Sequence, residues 1–470
     1  MAPPNLLGRV RAVHFVGIGG SGMSGLAELL LRRGYEVSGS DVAASEVTAR
    51  LAGLGARVFQ GHSAEHLGTA EAVVYSSAIR LENPERAEAT RRRLPIVPRG
   101  EILAELMRFQ YGIAVAGAHG KTTTASMIAL VLTRAGLDPT AVIGARVDDL
   151  GSSVRVGEGP YFVAETDESD RSFLLLHPTI AVLTNIDVEH LDRYRDFADL
   201  ESAFVDFASG TPFDGTVVAC ADDSKLEAVL ARIPRRVVTY GLDDTAADFV
   251  GGDAKASGFS ASCEVRHGGA ALGRLHLAIP GRHNLQNAMA ATTVGRELGI
   301  PFETIAEALA GFHGADRRFQ VKGSAGGVLV VDDYGHHPTE IRAVLGSACA
   351  VLKERGKGRL IVAFQPHRYS RTRQLMDAFG PALHDADAVV LTDIYSAGED
   401  PLADVSVDRL AATIRPQLKG TLHLARQLAD VAPRVAEIAR DGDLVLTLGA
   451  GSIGAVGDLI LERLRKRSGI

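Results

Sequence analysis

A lysine followed by three hydroxyl side chains closes the string Gly117-Ala118-His119-Gly120-Lys121-Thr122-Thr123-Thr124, directly after the apolar run Ile113–Ala116. Glycines allow backbone N–H groups to converge on one point, and a helix starting near Thr122 would turn its positive end to the same point. An anion such as a nucleotide phosphate would be held there, with Lys121 reaching the outer phosphates and Thr122 a magnesium ion. The loop is a shortened form, GxxGKT, because Val115 stands where the longer form has its first glycine. A Gly-Lys-Thr triplet alone also fits an ordinary corner. The strand-like run before it and the helix-forming run Ala125–Ala135 after it favour a phosphate cradle.

A triphosphate site also needs metal ligands at neighbouring strand ends. Two acidic strings qualify: Glu165-Thr166-Asp167-Glu168-Ser169-Asp170, after a run ending at Ala164, and Asn185-Ile186-Asp187-Val188-Glu189-His190-Leu191-Asp192, after a run ending at Thr184. Magnesium takes one or two carboxylates plus phosphate oxygens and water, so Glu165 and His190 suit two ions. Read in isolation, the same strings are solvated loops and helix caps. Asn284 and Asn287 lie one helical turn apart and could read a purine edge, or Asn284 could be a helix N-cap. Arg317-Arg318 is either positive charge at a segment junction or a surface pair.

Further polar loops follow later strand-like runs: Asp332–Pro338, Gln365–Arg371 and Tyr395–Glu399. Arg368 and Arg371 suit a carboxylate or phosphate clamp. His336 and His337 are adjacent and point apart, so they do not form a zinc site. Near the N-terminus, Gly17-x-Gly19-x-x-Gly22 follows the run Ala12–Val16, and Asp41 comes 19 positions after Gly22. That pattern meets the dinucleotide fingerprint and, taken alone, says NAD.

The elements that must position these loops alternate between strand and helix. In the first segment, strands at Ala12–Val16, Tyr35–Ser40, 57–60 and 72–76 surround a helix Met23–Arg33, implying a parallel sheet with its ligand at the strand ends. Leu94–Pro98 reads as a linker. The second segment holds the GxxGKT loop, strands at 161–165, 179–184 and 215–220, an antiparallel excursion over 243–283 and a helix Asn284–Leu298. The third has strands at 327–333, 360–364, 388–392 and 444–448, again alternating with helices. There is no internal repeat.

The 470 residues allow two to four domains, at about 150 residues each. With 50 Lys+Arg against 57 Asp+Glu the chain is mildly acidic, which argues against nucleic acid or an anionic membrane as a broad partner. Cys220, Cys263 and Cys349 have no CxxC spacing, so neither disulfides nor zinc are expected. No secretory leader or long apolar stretch is visible, and a soluble cytoplasmic protein without membrane insertion is expected.

Taken in order and spacing, the strings GIGGSGMSG (17–25), SGSD (38–41), SSAI (76–79), GAHGKTTT (117–124), ETDESD (165–170), NIDVEHLD (185–192), PGRHN (280–284), RRFQ (317–320), DDYGHHPTE (332–340), FQPHRYSRT (364–372), YSAGE (395–399) and GAGS (449–452) resemble the Mur ligase family over nearly the whole chain. Ala118, Thr166 and Glu189 depart from its common residues, and none of them is a proposed ligand. The resemblance implies an α/β protein of three domains: a Rossmann-like UDP-sugar-binding domain over 1–107, a P-loop ATPase-like ATP-binding domain over 108–319, and a Rossmann-like domain over 320–470 that brings the amino acid. It implies ATP-dependent amide formation through an acyl phosphate, with L-alanine joined to the carboxylate of UDP-N-acetylmuramate and ATP and Mg2+ required.

By the same resemblance, ATP would meet Gly117, His119, Gly120, Lys121, Thr122, Thr123, Asn284, Asn287, Arg318 and Asp333. Thr122 and Glu165 would hold one magnesium ion and His190 a second. Catalysis would rest on Lys121, His190, His336, Arg368 and Arg371. The UDP-sugar, in place of NAD, would meet Gly17, Gly19, Gly20, Ser21, Gly22, Asp41, His62, Ser76, Ser77 and Ala78. A related ligase adding a preformed peptide to the same UDP-sugar, a dehydrogenase and a non-catalytic nucleotide switch are the alternatives. Monomer and dimer are both compatible with the sequence.

Overall fold

Each glycine turn singled out above lies at the carboxyl edge of a parallel sheet. The computed structural model describes residues 7–76, 79–147, 149, 152–188 and 193–468. The first sheet contains β1 (Ala12–Val16), β2 (Glu36–Asp41), β3 (Arg57–Gln60), β4 (Ala72–Tyr75) and β5 (Ile96–Pro98) in the order β3-β2-β1-β4-β5, all parallel. Every residue of β1 is buried, as expected for a strand covered on both faces. The stretch read as a linker is therefore β5, paired with β4 through Val74↔Val97. It is a short edge strand, a place in a sheet where proline is tolerated because its missing N–H can face away from the ladder.

The second sheet begins with β6 (Tyr111–Ala116), β7 (Thr140–Val147), β8 (Ser152–Arg155), β9 (Tyr161–Glu165), β10 (Ile180–Leu183), β11 (Thr216–Cys220) and β12 (Arg236–Gly241). It continues through β13 (Phe249–Ser257), β14 (Ser260–His267) and β15 (Ala270–Leu277). The order is β15-β14-β13-β12-β11-β10-β6-β9-β7-β8. Gly268 and Gly269 both adopt positive φ in the two-residue turn between β14 and β15, the backbone that a tight hairpin needs. The expected antiparallel excursion is thus a strand meander.

The third sheet contains β16 (Gln320–Ala325), β17 (Val328–Asp333), β18 (Leu360–Phe364), β19 (Ala388–Leu391), β20 (Thr421–Leu424) and β21 (Leu444–Leu448) in the order β16-β17-β21-β18-β19-β20. It is parallel except for the β16–β17 pair. Internal packing divides the chain into two compact units: residues 1–252, 264–275 and 286–310, and residues 253–263, 276–285 and 311–470. Three sheets with helical crossovers make a three-domain α/β architecture. No helix among the described residues is long and apolar enough to cross a membrane.

Alternation along the third sheet's strands sorts its core into two layers. Val331, Val362, Val389 and Leu446 belong to one cluster, and their neighbours Val330, Ile361, Val390 and Val445 to the other. Leu446 sits mid-strand between β17 and β18, fully buried. Leu446→Ala should lower the stability of this unit by about 2–5 kcal/mol. Urea unfolding followed by a probe in this unit measures it, and a loss under about 1 kcal/mol would contradict the packing described.

Candidate active site

In the first unit, β6 delivers its last residue, Ala116, into the GxxGKT loop, and the helix Lys121–Arg134 leaves it. Two glycines are sterically required. A Cβ on Gly117, at φ +140, would stand 2.1 Å from Thr184 Oγ1, and one on Gly120, at φ +81, would stand 2.5 Å from Asn287 Oδ1. The shortened loop is braced from β10's end: His119 N donates to Asn185 Oδ1 (2.8 Å), and Thr184 Oγ1 and Asn185 Nδ2 both donate to the His119 carbonyl. The helix's N-cap, Gly120, supplies no side-chain cap, and its first turn carries no acid. Its N–H groups and dipole are left to an anion.

Lys121 Nζ donates to Glu168 Oε1 (2.9 Å) and to the carbonyls of Gly117 and Ala118. Burial alone would lower its pKa, but the charges of Glu168, Glu165 and Asp167 outweigh that and hold it above the usual lysine value. The lysine is therefore charged. Thr122 Oγ1 lies 2.9 Å from both oxygens of Glu165, and Glu165 Oε2 also accepts from Gly144 N. Strand order explains the meeting: β9 and β10 flank β6 directly, with Val115 opposite Glu165 and Ala116 opposite Leu183. A hydroxyl and a carboxylate converging on one point are hard oxygen donors, the set that Mg2+ prefers. His190, expected to hold a second ion, lies outside the described residues, as do Ser77 and Ala78.

Asn287 comes against this loop, where Thr124 Oγ1 donates to its Oδ1 at 3.2 Å. The helix carrying it runs Arg282–Glu297, so Asn284 is its third residue and not its N-cap. Gly281, at φ +102, makes the break two residues earlier than expected. Asn284 Nδ2 donates to the Pro280 carbonyl in the second unit. Thr123 is buried in the first turn of the phosphate-loop helix.

The first glycine loop repeats the same physics. Gly17 N and Ile18 N donate to the Ser40 carbonyl, and Gly19 N donates to Asp41 Oδ2 at 2.8 Å. Asp41 thus spends one oxygen on its own loop, which weighs against the ribose role that a dinucleotide reading requires. Gly20 is the N-cap of the helix Ser21–Arg32 and gives no side-chain cap, leaving a second open helix N-terminus; the Ser21 side chain lies outside the described residues. At Gly22 the Arg99 side chain packs close, its Nη1 2.7 Å from where a Cβ would stand. That arginine ion-pairs with Asp167 (2.8 Å), joining this loop to the acidic string after β9. Ser76 follows β4 at the same sheet edge, and His62 follows β3.

In the second unit, Asp333 ends β17 and accepts from Phe319 N and Gly335 N, both at 2.7 Å. Burial raises its pKa to about 6, with the Arg318 charge and the two N–H donors opposing. Arg317 donates to Asp332 Oδ2 (2.9 Å) and to the carbonyls of Gly449 and Gly451. Arg317 and Arg318 both lie over the Tyr334 ring, at 5.2 and 5.1 Å. Both arginines are half-buried and held by these partners, so the pair is not free surface charge. His336, His367 and Tyr395 form a row with ring centroids 5.6 and 5.5 Å apart, and Arg371 Nη1 meets His367 Nδ1 at 3.2 Å. Burial, His336 and the arginines push the His367 pKa down to about 3, so its ring is neutral. Arg368 has φ +68, held by its N–H bond to the Tyr395 carbonyl (2.8 Å). A strained non-glycine backbone at a polar strand end is a mark of a functional loop.

Sequence reasoning missed several partners. Glu168, Asn185, Arg99 and Glu85 carry the contacts that hold Lys121, His119, the first glycine loop and His62. Glu168 and Asn185, lying within the two acidic strings, had a local signal; Arg99 and Glu85 had none.

Comparison with known proteins covers the same ground. Residues 12–111 match the Mur ligase family catalytic domain, 115–295 the Mur ligase middle domain, and 317–451 the Mur ligase glutamate ligase domain. The UDP-N-acetylmuramate--L-alanine ligase of Geobacter sp. (strain M21) is 51% identical over 460 residues, 98% of this chain and 99% of that protein. The protein of the same name from Solibacter usitatus (strain Ellin6076) is 51% identical over 458 residues, 97% of this chain and 96% of that protein. Among solved structures, the UDP-N-acetylmuramate-alanine ligase of Thermotoga maritima superposes with TM-score 0.83 at 30% identity, covering 98% of this chain and 100% of that one. Three matched segments in one order, with a lysine, a hydroxyl and a carboxylate gathered where the middle segment's parallel strands end, make this chain a member of the Mur ligase family.

Proposed function

We propose that this protein is an ATP-dependent ligase that joins L-alanine to the carboxylate of UDP-N-acetylmuramate, forming ADP and phosphate in the synthesis of peptidoglycan precursors. The observation that carries the reading is the charged Lys121 beside the Thr122–Glu165 pair at an open helix N-terminus, in a chain about half identical to ligases of that name. A carboxylate attacking a phosphoryl group brings two anions together. Fixed positive charge and in-line alignment are then most of what the protein must supply.

In this reading ATP lies on Gly117, His119, Gly120, Lys121, Thr122 and Thr123, with Asn287 beside the loop. Asn284, Arg318 and Asp333 are the further residues assigned to ATP. Lys121 exchanges Glu168 for the transferring phosphoryl group and steadies it. Thr122 and Glu165 hold one Mg2+ ion, and His190 a second; when bound, the metal neutralises phosphate charge and orients the oxygens. The UDP-sugar lies on Gly17, Gly19, Gly20, Ser21, Gly22, Asp41, His62, Ser76, Ser77 and Ala78. His336, Arg368 and Arg371 receive the amino acid, with Arg368 and Arg371 binding its carboxylate. The neutral His367 ring keeps Arg371 oriented. The amine then attacks the acyl phosphate and phosphate leaves. We place the domain boundaries near 107 and 319 and the protein in the cytoplasm.

Product analysis with ATP, UDP-N-acetylmuramate and competing L-alanine, L-serine, glycine and a tripeptide tests the assignment. UDP-N-acetylmuramoyl-L-alanine should dominate, and preferential tripeptide transfer would favour the peptide-adding alternative. Lys121→Ala should keep the fold, checked by thermal melting, and lose about 100-fold or more in kcat, the scale for removing a transition-state charge partner. Near-normal turnover would refute the role given to Lys121. Glu165→Gln should shift the magnesium activation curve to higher concentration, and an unshifted curve would remove it from the ligand set.

A further inference from the structure

The first sheet hides a polar cluster of which only His62 has an assigned role. Glu85 lies in the first turn of the helix Pro84–Arg91, and its side chain is wholly buried. A buried carboxylate is costly unless its oxygens are satisfied, and here they are satisfied from three other stretches of chain. Oε1 accepts from His66 Nδ1 (2.9 Å) and Ser63 N (3.4 Å), with His14 Nε2 3.7 Å away. Oε2 accepts from Ser40 Oγ (2.6 Å) and lies 3.1 Å from His62 Nδ1. Burial would raise the Glu85 pKa, but His14, Ser40 and His66 outweigh it and hold the group at about 2. It is a carboxylate at any working pH.

Its neighbours decide where the His62 proton sits. Ionised Glu85 only accepts, so the Ser40 hydroxyl must give it its hydrogen. His62 Nδ1 lies 2.9 Å from Ser40 Oγ and 3.1 Å from Glu85 Oε2. Both atoms can only accept from it, so the neutral His62 ring carries its proton on Nδ1 and keeps Nε2 as an acceptor. The same Ser40 holds the start of the first glycine loop through its carbonyl, which accepts from Gly17 N (2.8 Å) and Ile18 N (3.0 Å). One serine thus links the phosphate-facing loop to the histidine.

We propose that Glu85 is a positioning residue for the nucleoside end of the sugar-nucleotide site: through Ser40 and His62 Nδ1 it fixes the His62 ring so that Nε2 accepts a hydrogen from the bound nucleoside diphosphate, an imide N–H or a ribose hydroxyl. The inference rests on placing the UDP-sugar at Gly17–Gly22 and His62. His66 is a second arm of the same brace, its ring stacked on Phe59 at 4.4 Å.

The test uses the full-length protein at pH 8. Glu85→Gln places an amide N–H donor where an acceptor stood, and should raise KM for UDP-N-acetylmuramate about tenfold, the worth of one hydrogen bond to a charged group, while KM for ATP holds. His62→Ala should raise the same KM, and adding Glu85→Gln to it should cost little more. An unchanged UDP-sugar KM in Glu85→Gln, or full additivity in the double variant, would overturn the positioning role. If His62→Ala leaves that KM untouched, the placement of the UDP-sugar fails, and the proposal with it. Should Glu85→Gln not fold, 1H–15N spectra of the wild-type protein with labelled histidine decide: a neutral His62 with its proton on Nδ1 is expected, and one on Nε2 refutes the inference. With UDP analogues as competitors, 3-methyl or 2′-deoxy substitution should weaken binding to wild type more than to His62→Ala, identifying which hydrogen is read. Equal losses for both analogues in both proteins would overturn it.

Discussion

An ammonium group held among carboxylates at the open end of a helix is the constraint around which the first unit is arranged. Lys121 is largely buried, and a buried charge persists only when paired and hydrogen-bonded. Glu168 and the carbonyls of Gly117 and Ala118 satisfy it. A phosphate that enters must replace these acceptors charge for charge, so the lysine stays ionised whether or not nucleotide is present. That demands close approach of backbone, which is why Gly117 and Gly120 cannot carry a Cβ: the first would strike Thr184 and the second Asn287.

Topology supplies the rest at little cost. Because β6 lies between β9 and β10, the phosphate loop and both following turns emerge side by side. No long-range device is needed to bring Glu165 to Thr122, since it is the last residue of a strand paired with the one that feeds the loop. The first sheet uses the same rule with β1 between β2 and β4, and the third with β21 between β17 and β18. Three sheets therefore each place polar turns at one edge, where an open parallel sheet binds its ligands.

What was legible in the sequence was local. A strand, a glycine loop and a helix are contiguous, so both glycine turns could be read from spacing alone. β5 could not, because three residues ending in Pro98 carry no strand period; it is a strand only because β4 offers it a partner. The helix bearing Asn284 begins at Arg282 because Gly281 takes positive φ, a fact about backbone and not about residue pattern. Arg317 looked like surface charge until Asp332 and two carbonyls from the far end of β21 closed on it. Glu85 was invisible for a stronger reason. Its partners at 14, 40 and 62–66 lie on three stretches distant from it in sequence, and no spacing rule joins those stretches to residue 85.

The two glycine loops show why a motif identifies physics before it identifies a ligand. Both present uncapped helix N-termini without acids in the first turn, so both favour anions. They differ in what stands beside the anion. The GxxGKT loop has a lysine and a hydroxyl–carboxylate pair, which suit a phosphoryl group that will move. The first loop has Asp41 tied back to Gly19 and a histidine oriented from beneath by a buried carboxylate, which suits a phosphate that only anchors what lies on either side of it. A glycine fingerprint cannot separate these cases, since the backbone contacts are the same. The side chains one layer behind the loop can, because they decide whether charge at that point must move or merely stay.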